Sequence, residues 1–324
     1  MNIFVAPLNW GLGHATRCVP LIRQFMAEGH QVTLGGDGES LQVLRQHFPQ
    51  LPVRELPPLH LSYSSGKSQV WAILRALPRL IAAARQEHAA LRRIAQEQPF
   101  DLIVSDNRFG LFLSRPHPGT RCVYMTHQIT ILLPYGWRWL QPLVQRLHAR
   151  IYRHYDEVWI PDHEDATKSL AGVMSHPRCT RHLPTAMFRY IGPLSRFSEA
   201  SAYPTTSDPT APTTVALLSG LEPQRTLLEC AIKERYKDRP GQLLIARGKY
   251  PSMTDEELAQ ALLQAHHIIA RSGYSTIMDL QALGLLQKRE EGKVNIELIP
   301  TPGQPEQEYL AKKYSHVYAR EYLK

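Results

Sequence analysis

The chain has 324 residues, a formal net charge of +8, 43% apolar residues and 20% charged residues. A chain of this length is too long for a single typical hydrophobic core, so the length predicts two domains. No stretch approaches about 20 consecutive apolar residues, so we expect no membrane-spanning helix. The first residues, MNIFVAPL, lack the basic region of a signal peptide and predict a first strand. We therefore expect a cytoplasmic protein.

The net charge limits the classes of partner, and the cysteine spacing limits the kinds of disulfide and metal site. A net charge of +8 favours nucleic acid, an anionic membrane or a phosphorylated small molecule. The sequence contains no recognisable nucleic-acid-binding module, so we expect no nucleic-acid partner. The cysteines lack CxxC pairing, which argues against a disulfide framework and a zinc site; they are Cys18, Cys122, Cys179 and Cys230.

In chain order, the first half alternates short apolar runs with amphipathic stretches. Apolar residues recur at three- and four-residue intervals between 69 and 97, which predicts a long helix or a helix pair interrupted at Pro78. The alternation is typical of an α/β domain, a parallel sheet covered by helices. The predicted strands are 2–7, 31–35, 101–105, 121–125 and 157–160.

A second alternating set follows a stretch with the composition of a linker. Residues 198–212, SEASAYPTTSDPTAP, are rich in Ser, Thr, Pro and Ala and have no hydrophobic period, which predicts a linker between domains 1–197 and 213–324. Two such α/β domains commonly bind a ligand between them. The second set comprises strands 213–218, 242–246, 266–270 and 295–299 and helices near 223–235, 254–264, 275–284 and 305–313.

The segment NWGLGHATR follows the first predicted strand. Gly11 and Gly13 precede a helix expected to start near Thr16, and glycines there allow backbone amides to approach an anion. His14 is a candidate general base, because an imidazole side chain can exchange a proton near physiological pH; the residues alone leave open a histidine that only caps the helix. Arg17 is expected either to contact a phosphate or to be solvated.

The same turn only weakly supports a nicotinamide cofactor. The dinucleotide fingerprint needs a third glycine at position 16, which is Thr16. Asp37, after the second strand, could take the place of the ribose-binding acid. Nicotinamide binding is therefore the lesser alternative.

Polar side chains follow three predicted strands of the second half. Ligands of open α/β sheets bind outside the carboxyl ends of the strands, and hydroxyls, an arginine, amides and carboxylates in that place suit a nucleotide. Each group could instead be an ordinary helix cap, as Ser275 or Thr276 would be for the third helix. The groups are Ser219 and Gly220, then Arg271, Ser272 and Gly273, then Gln304, Glu306, Gln307 and Glu308.

The order of these motifs resembles a known enzyme family. GLGH after the first strand, IGPLSR before the linker, LLSG after it, RSGYSTIMD and then PGQPEQEYL resemble the GT-B glycosyltransferases. The branch that is most similar contains the N-acetylglucosaminyltransferase that forms lipid II. The resemblance implies two Rossmann-like domains, with the acceptor in the N-terminal domain and a nucleotide sugar, usually a UDP-sugar, in the C-terminal domain.

The resemblance also assigns roles to residues. It implies that Arg196 approaches the donor phosphates, that Asp279 replaces the family's ribose-binding glutamate, and that Gln307 with Glu308 replaces a glutamine pair that contacts the sugar hydroxyls. The complete donor set that we predict is Arg196, Ser219, Gly220, Arg271, Ser272, Gly273, Ser275, Thr276, Asp279, Gln304, Gln307 and Glu308.

The reaction that the resemblance implies is direct displacement at the anomeric carbon with inversion. His14 would assist deprotonation of the acceptor hydroxyl, beside a loop formed by Gly11, Gly13 and Arg17. Backbone amides, helix N-termini and Arg196 or Arg271 would stabilise the leaving diphosphate. No metal and no cofactor are expected, because the nucleotide sugar is a substrate and the family generally needs no bound metal.

The acceptor is less evident from the sequence. The segment 135–155 interleaves Trp137, Trp139 and leucines with four arginines, a pattern that suits either an anionic membrane surface near a lipid-linked acceptor or an amphipathic core helix with a solvated basic face. Two rival functions also stay open. They are a sugar-nucleotide epimerase of the same fold and a non-catalytic or partner-dependent sugar-nucleotide-binding protein, which the short stretch after Glu308 favours.

Overall fold

The computed structural model describes residues 1–58, 69–108, 110, 118–177, 180, 183–198, 213–220, 222–238, 243–247 and 253–314, with the backbone alone for 69–77, 79 and 80. The chain forms two compact units. Unit 1 comprises Met1–Trp10 and His14–Leu194, and unit 2 comprises Gly11–Gly13 and Ser195–Lys324. Apart from Ser198, the predicted linker lies outside the described residues.

Unit 1 contains a parallel sheet with the strand order β3-β2-β1-β4-β5-β6-β7. All five strands predicted for this half are confirmed to within one residue. The strands are β1 (Asn2–Pro7), β2 (Gln31–Gly36), β3 (Val53–Glu55), β4 (Leu102–Asp106), β5 (Arg121–Met125), β6 (Glu157–Ile160) and β7 (Phe188–Tyr190).

Both faces of this sheet are covered. Ile3 and Val5 of β1 pack in one apolar cluster, while Phe4 and Ala6 pack in another, because successive side chains of a strand point to opposite faces. The strands are therefore apolar on both sides, as parallel strands beneath helices are. The sequence did not predict β3 and β7, since these edge strands have three residues each and are only partly buried.

The helices of unit 1 differ from the prediction at two places. The first helix begins at Leu12 rather than near Thr16, so His14 and Arg17 both belong to it. The long helix runs through Pro78 without interruption. The helices are α1 (Leu12–Ala27), α2 (Gly38–His47), α3 (Gln69–Glu97) and α4 (Gln141–Tyr152), the last preceded by a 3-10 turn, Tyr135–Leu140. Within the described residues, no helix is both long and apolar enough to cross a membrane.

Unit 2 contains a second parallel sheet, with the order β11-β10-β8-β9. Its predicted strands and helices are confirmed, and the structure adds a short helix, α8, before the last strand. The elements are β8 (Thr214–Leu218), α5 (Gln224–Arg235), β9 (Leu243–Arg247), α6 (Asp255–Gln264), β10 (His267–Arg271), α7 (Tyr274–Ala282), α8 (Leu285–Glu290), β11 (Asn295–Ile299) and α9 (Pro305–Tyr314).

Candidate active site

The glycine turn places His14 on the first turn of α1. Gly11 has a φ of +83°, a left-handed conformation that glycine adopts without the steric cost of a side chain. Gly13 lies within the helix rather than before it. The side chain of His14 is partly exposed, so its imidazole can be reached by a substrate.

Asp106 ends the strand next to β1. Because Asp106 is in register with Pro7 across the β1 and β4 pair, its carboxylate lies beside the start of α1. Oδ1 of Asp106 is 3.2 Å from Nδ1 of His14. Asp106 is fully buried. The strand order thus brings together a histidine and a carboxylate that are 92 residues apart in the sequence.

Arg17 holds the same carboxylate from the next turn of α1. Its Nε donates to Oδ2 of Asp106 at 2.8 Å, and its Nη2 donates to Oδ1. The pair is bidentate, the strongest geometry for an arginine and a carboxylate. The sequence predicted a phosphate contact or a solvated arginine, but Arg17 is only 2% exposed. The structure therefore places Arg17 beneath the site as the counter-ion of Asp106.

Asp106 is ionised throughout the physiological pH range. Burial, the largest influence, would raise its pKa, but the charges of Arg17 and His14 and their hydrogen bonds lower the pKa to about 2. Cys18 contacts Oδ2 of the same carboxylate at 3.7 Å. Burial and then the charge of Asp106 raise the pKa of the Cys18 thiol well above its usual range, so Cys18 remains a neutral thiol there.

A second histidine adjoins this group from the end of β5. Nη1 of Arg17 lies 3.0 Å from Nδ1 of His127, which is 4% exposed. The guanidinium therefore contacts side chains from α1, from β4 and from the residues after β5. We call Arg17, Asp106, His14 and His127 the histidine cluster.

A second set of buried charged side chains, centred on Arg108, connects the loops next to the histidine cluster. Arg108 donates from Nη1 to Oδ1 of Asp37 at 2.7 Å and from Nε to Glu87, and it also donates to the carbonyl of Pro7 at 3.1 Å. Burial raises the pKa of Glu87 although Arg108 opposes this effect. Asn9 donates to the other oxygen of Asp37 at 3.0 Å. Asp37 is thus engaged by Arg108 and Asn9 within unit 1, and the nicotinamide alternative stays the lesser prediction.

In unit 2, Arg271, at the end of β10, connects the residue that follows β11 with the start of α5. Its Nη1 donates to the carbonyl of Pro300 at 3.0 Å and its Nη2 to the carbonyl of Gln224 at 2.6 Å. Burial lowers the pKa of Arg271 to about 10, and the group keeps its charge at neutral pH. The sequence did not indicate that this guanidinium is buried and donates to two backbone carbonyls. Its contact with a phosphate stays a prediction.

Asp279, on α7, is held by the residues that begin unit 2. Ser195 donates to its Oδ1 at 2.6 Å, and Nε of Arg196 lies 3.4 Å from its Oδ2. Burial, the largest influence, raises the pKa of Asp279 although Arg196 opposes it. The guanidinium of Arg196 also lies 3.5 Å from Asp255 and over the ring of Phe197. Arg196 and Asp279, predicted to contact different parts of the donor, are therefore neighbours.

The remaining predicted donor residues lie at the carboxyl ends of β8, β10 and β11. Gly220, after β8, has a φ of +101°. The helix α7 begins at Tyr274 with Gly273 at its N-cap, and no side chain caps it. Neither Ser275 nor Thr276 is therefore the cap that the sequence predicted.

Gln307 and Glu308 organise the loop that follows β11. Gln307 accepts a hydrogen bond from the amide of Thr301 at 2.8 Å, and its own carbonyl accepts one from Ser272 at 2.8 Å. Glu308 accepts from the amide of Gly303 at 3.2 Å, and its amide donates to the carbonyl of Gln304. These contacts bring the β10 and β11 loops together, and the contact of either side chain with a sugar stays a prediction.

Solved structures place both units in a known fold. The glycotransferase of kitacinnamycin is 17% identical and has a TM-score of 0.56 over 96% of this chain and 84% of its own. The Arabidopsis thaliana protein UGT89C1, complexed with UDP-L-rhamnose, is 14% identical and has a TM-score of 0.51 over 97% and 89%. The fold is GT-B.

The GT-B fold is shared by more than one class of protein. A putative UDP-N-acetylglucosamine 2-epimerase from Listeria monocytogenes is 11% identical, with a TM-score of 0.52 over 97% of this chain and 86% of its own. No protein-family model and no curated protein matches the sequence. At these identities the comparisons establish the GT-B fold, and the reaction has to be argued from the site.

Asp106 and His127 were not predicted as site residues from the sequence. Each lies at or just beyond the end of a predicted apolar strand, in DLIVSD and RCVYMTH, which is where ligands of open α/β sheets bind. Applying to the first half the rule used for the second half would have found both. In the described residues, no group of three or more His, Cys, Asp or Glu side chains could hold a metal ion.

Proposed function

We propose that this protein is an inverting glycosyltransferase that moves a sugar from a nucleotide sugar to an acceptor hydroxyl. The observation that carries the proposal is the pair of His14 and Asp106, a partly exposed imidazole with Nδ1 3.2 Å from a buried, ionised carboxylate. A histidine oriented by a carboxylate is the arrangement of a general base. The GT-B fold and a UDP-sugar in the Arabidopsis thaliana structure support a nucleotide sugar as the donor.

The proton on His14 must be placed for this reaction. Nδ1 lies near an acceptor, Oδ1 of Asp106, and also 2.9 Å from a donor, Nη2 of Arg17. The proposed base carries its proton on Nδ1 and donates it to Asp106, which leaves the lone pair of Nε2 for the substrate. In the other tautomer Nδ1 would accept from Arg17, and Nε2 would be protonated and unable to act as a base.

The proposed step balances as follows. The acceptor O–H gives its proton to Nε2 of His14 while the acceptor oxygen forms a bond to the anomeric carbon. The bond between that carbon and the diphosphate oxygen breaks, and its electron pair leaves with the nucleoside diphosphate. Attack opposite the leaving group inverts the anomeric carbon. Asp106 stabilises the imidazolium that forms, as a buried anion does in a catalytic triad.

We assign the donor to unit 2 and the acceptor to unit 1, as the resemblance implies. Backbone amides after β8 and at the start of α7, together with Arg196, would bind the diphosphate, since a helix N-terminus attracts anions. Asp279 would bind the ribose, and Gln307 with Glu308 the sugar. The assignment needs no metal, and activity that survives a chelator would support this part of it.

One experiment tests the proposal. Titration calorimetry with UDP-, GDP- and TDP-sugars identifies the donor, and the rate of donor hydrolysis is then measured for the wild type, His14→Ala and the control His30→Ala, which changes another partly buried histidine of unit 1. We expect the same donor affinity in all three and a loss of about 10²- to 10⁴-fold in rate for His14→Ala alone.

Other outcomes separate the rivals. Donor binding without turnover, with water or with any acceptor tested, would contradict catalysis and support the sugar-nucleotide-binding protein. A product that is still a nucleotide sugar, epimerised at one carbon, would support the epimerase. An unchanged nucleotide affinity in Asp279→Ala would contradict the ribose assignment without affecting the assignment of the base.

We also propose that an exposed surface of unit 1 binds an anionic membrane. Tyr135, Trp139, Leu143 and Leu147 recur every four residues and are all exposed, Trp139 to 73%. A helix in the core would bury this row, and α4 instead buries His148, Ala149 and Tyr152. The exposed arginines of the same segment are Arg138, Arg146, Arg150 and Arg153. Exposed aromatic and leucine side chains among arginines, with no acidic residue from 135 to 155, suit an anionic lipid surface.

A further inference from the structure

We propose that Arg17 is a positioning residue that holds His127 in a single neutral form, with its proton on Nε2, and joins it to the pair of His14 and Asp106. The form of His127 follows from the contacts of the histidine cluster alone. Its effect on the rate rests on the proposed function.

The direction of the hydrogen bond decides where the proton of His127 lies. Nη1 of Arg17 and Nδ1 of His127 are 3.0 Å apart. A guanidinium has five N–H donors and no acceptor, so Nδ1 must accept. A neutral imidazole has one N–H, which is then on Nε2. The contact of Arg17 with His14 has no such unique solution, because Nδ1 of His14 also lies next to Asp106.

Charge balance in the cluster gives the same result. Arg17 and Asp106 are both buried and neutralise each other. A second proton, on Nδ1, would point at the guanidinium and turn His127 into an imidazolium, which adds a second positive charge to a buried site. The titratable and charged groups around Arg17 include Asp106 from β4, His14 and the Cys18 thiol from α1, and His127 after β5. The buried phenol of Tyr124 on β5 also interacts with the charges of Asp106 and Arg17.

The donors of Arg17 are divided among these partners. Nε and Nη2 donate to Asp106 and orient it, and Nη1 donates to Nδ1 of His127. Without an acceptor at position 127, Nη1 of Arg17 would lose this hydrogen bond and the guanidinium would shift toward its other partners. Such a shift moves the carboxylate that orients His14. His127 therefore acts through Arg17, and the side chain at position 127 needs an acceptor rather than a base.

Histidine-selective ¹⁵N NMR of the full chain tests the form of His127. Spectra are recorded from pH 5 to pH 8, and the His127 signals are assigned by their loss in His127→Gln. We expect one protonated nitrogen, Nε2, one unprotonated nitrogen, Nδ1, and no change across this range. Titration of His127 in the wild type, or a proton on Nδ1, would overturn the proposal.

Variants test the role of Arg17. In Arg17→Lys the ammonium still neutralises Asp106, but it cannot reproduce the three-way contact of the guanidinium, so His127 should titrate or exchange between tautomers. An unchanged His127 spectrum in Arg17→Lys would overturn the proposal. Signals of His14 in the same spectra report separately on the proposed base: a proton on Nε2 of wild-type His14 would contradict the proposed function and leave the inference on His127 standing.

Activity tests the consequence. His127→Gln keeps an acceptor oxygen and should retain at least about half of kcat. His127→Leu should lose about 10- to 100-fold, by analogy with the loss of a side chain that orients a metal-binding histidine. The KM for the donor should stay the same in both. Equal kcat for the two variants would contradict a positioning role. Circular dichroism of both variants verifies that they are folded.

Discussion

Arg17 donates from Nε to Oδ2 of Asp106 over 2.8 Å, although 89 residues separate the two in the chain. Both side chains are buried, so each removes the cost of burying the other. The same carboxylate faces His14 at 3.2 Å. One ion pair therefore stabilises the end of β4 and orients the proposed base.

Asp106→Asn should reduce both activity and stability. An amide cannot stabilise an imidazolium as a carboxylate does, and the corresponding change in a catalytic triad lowers kcat by about 10⁴-fold. The buried charge of Arg17 would lose its partner, which costs about 3–5 kcal/mol. Steady-state kinetics and urea unfolding measure the two effects.

The matched control for this prediction is Asp101→Asn. Asp101 precedes the same strand, at its other end, and is exposed, where it accepts from the amide of Asn2. We expect activity within a factor of about two of wild type and a stability change of about 1 kcal/mol at most. Equal effects of the two substitutions on activity would contradict the role given to Asp106.

Acid should destabilise the wild type through Asp106. Its pKa in the folded protein is about 2, below the ordinary value of 3.8, so folding favours the ionised form. The stabilisation from this group is complete above about pH 4 and is lost as the pH falls through about 2, and the shift corresponds to about 2 kcal/mol. The free energy of unfolding, measured between pH 6 and pH 2, should fall less steeply in Asp106→Asn. Parallel curves for the two proteins would contradict the prediction.

Ser195→Ala should destabilise unit 2. The hydroxyl of Ser195 donates to Asp279 at 2.6 Å, and both groups are buried. Its loss removes a hydrogen bond to a buried carboxylate, an effect of about 1–3 kcal/mol. Chemical denaturation measures the change. The control is Ser198→Ala, which removes from an exposed residue of the same segment a hydroxyl that donates to the carbonyl of Ser195 rather than to Asp279; a loss as large in this control would show that the contact with Asp279 is not the cause.

The exposed row of Tyr135, Trp139, Leu143 and Leu147 on unit 1 predicts that the protein binds anionic vesicles selectively. In a flotation experiment, the wild type should float with vesicles that contain an anionic lipid and not with neutral ones. A triple change of Trp139, Leu143 and Leu147 to Ser should abolish flotation by removing the apolar contact. Leu227→Ser is the control, because Leu227 is 57% exposed on α5 outside this surface. Equal flotation with neutral and anionic vesicles, or flotation of the triple variant, would contradict the proposal.

Much of the fold could be read from local patterns. An apolar run bounded by turn residues and a helical period of three to four are properties of short segments. The described strands other than Val53–Glu55 and Phe188–Tyr190 were therefore predicted to within a residue. The glycine turn was found for the same reason, since Gly11, Gly13 and His14 are neighbours in the chain. The start of α1 was predicted four residues late because Gly13 was taken as part of the turn, and the structure includes it in the helix.

The sequence by itself determined the α/β class, the strand ends and the histidine. Only the tertiary structure decided which strand ends meet, and thus that Asp106 rather than Asp37 faces His14. It also decided that Arg17 is buried while Trp139 is exposed, the reverse of what their side chains alone suggest. The physical reason is that strand order and burial arise from contacts between residues far apart in the chain. The local periodicity of the sequence contains no information about these contacts.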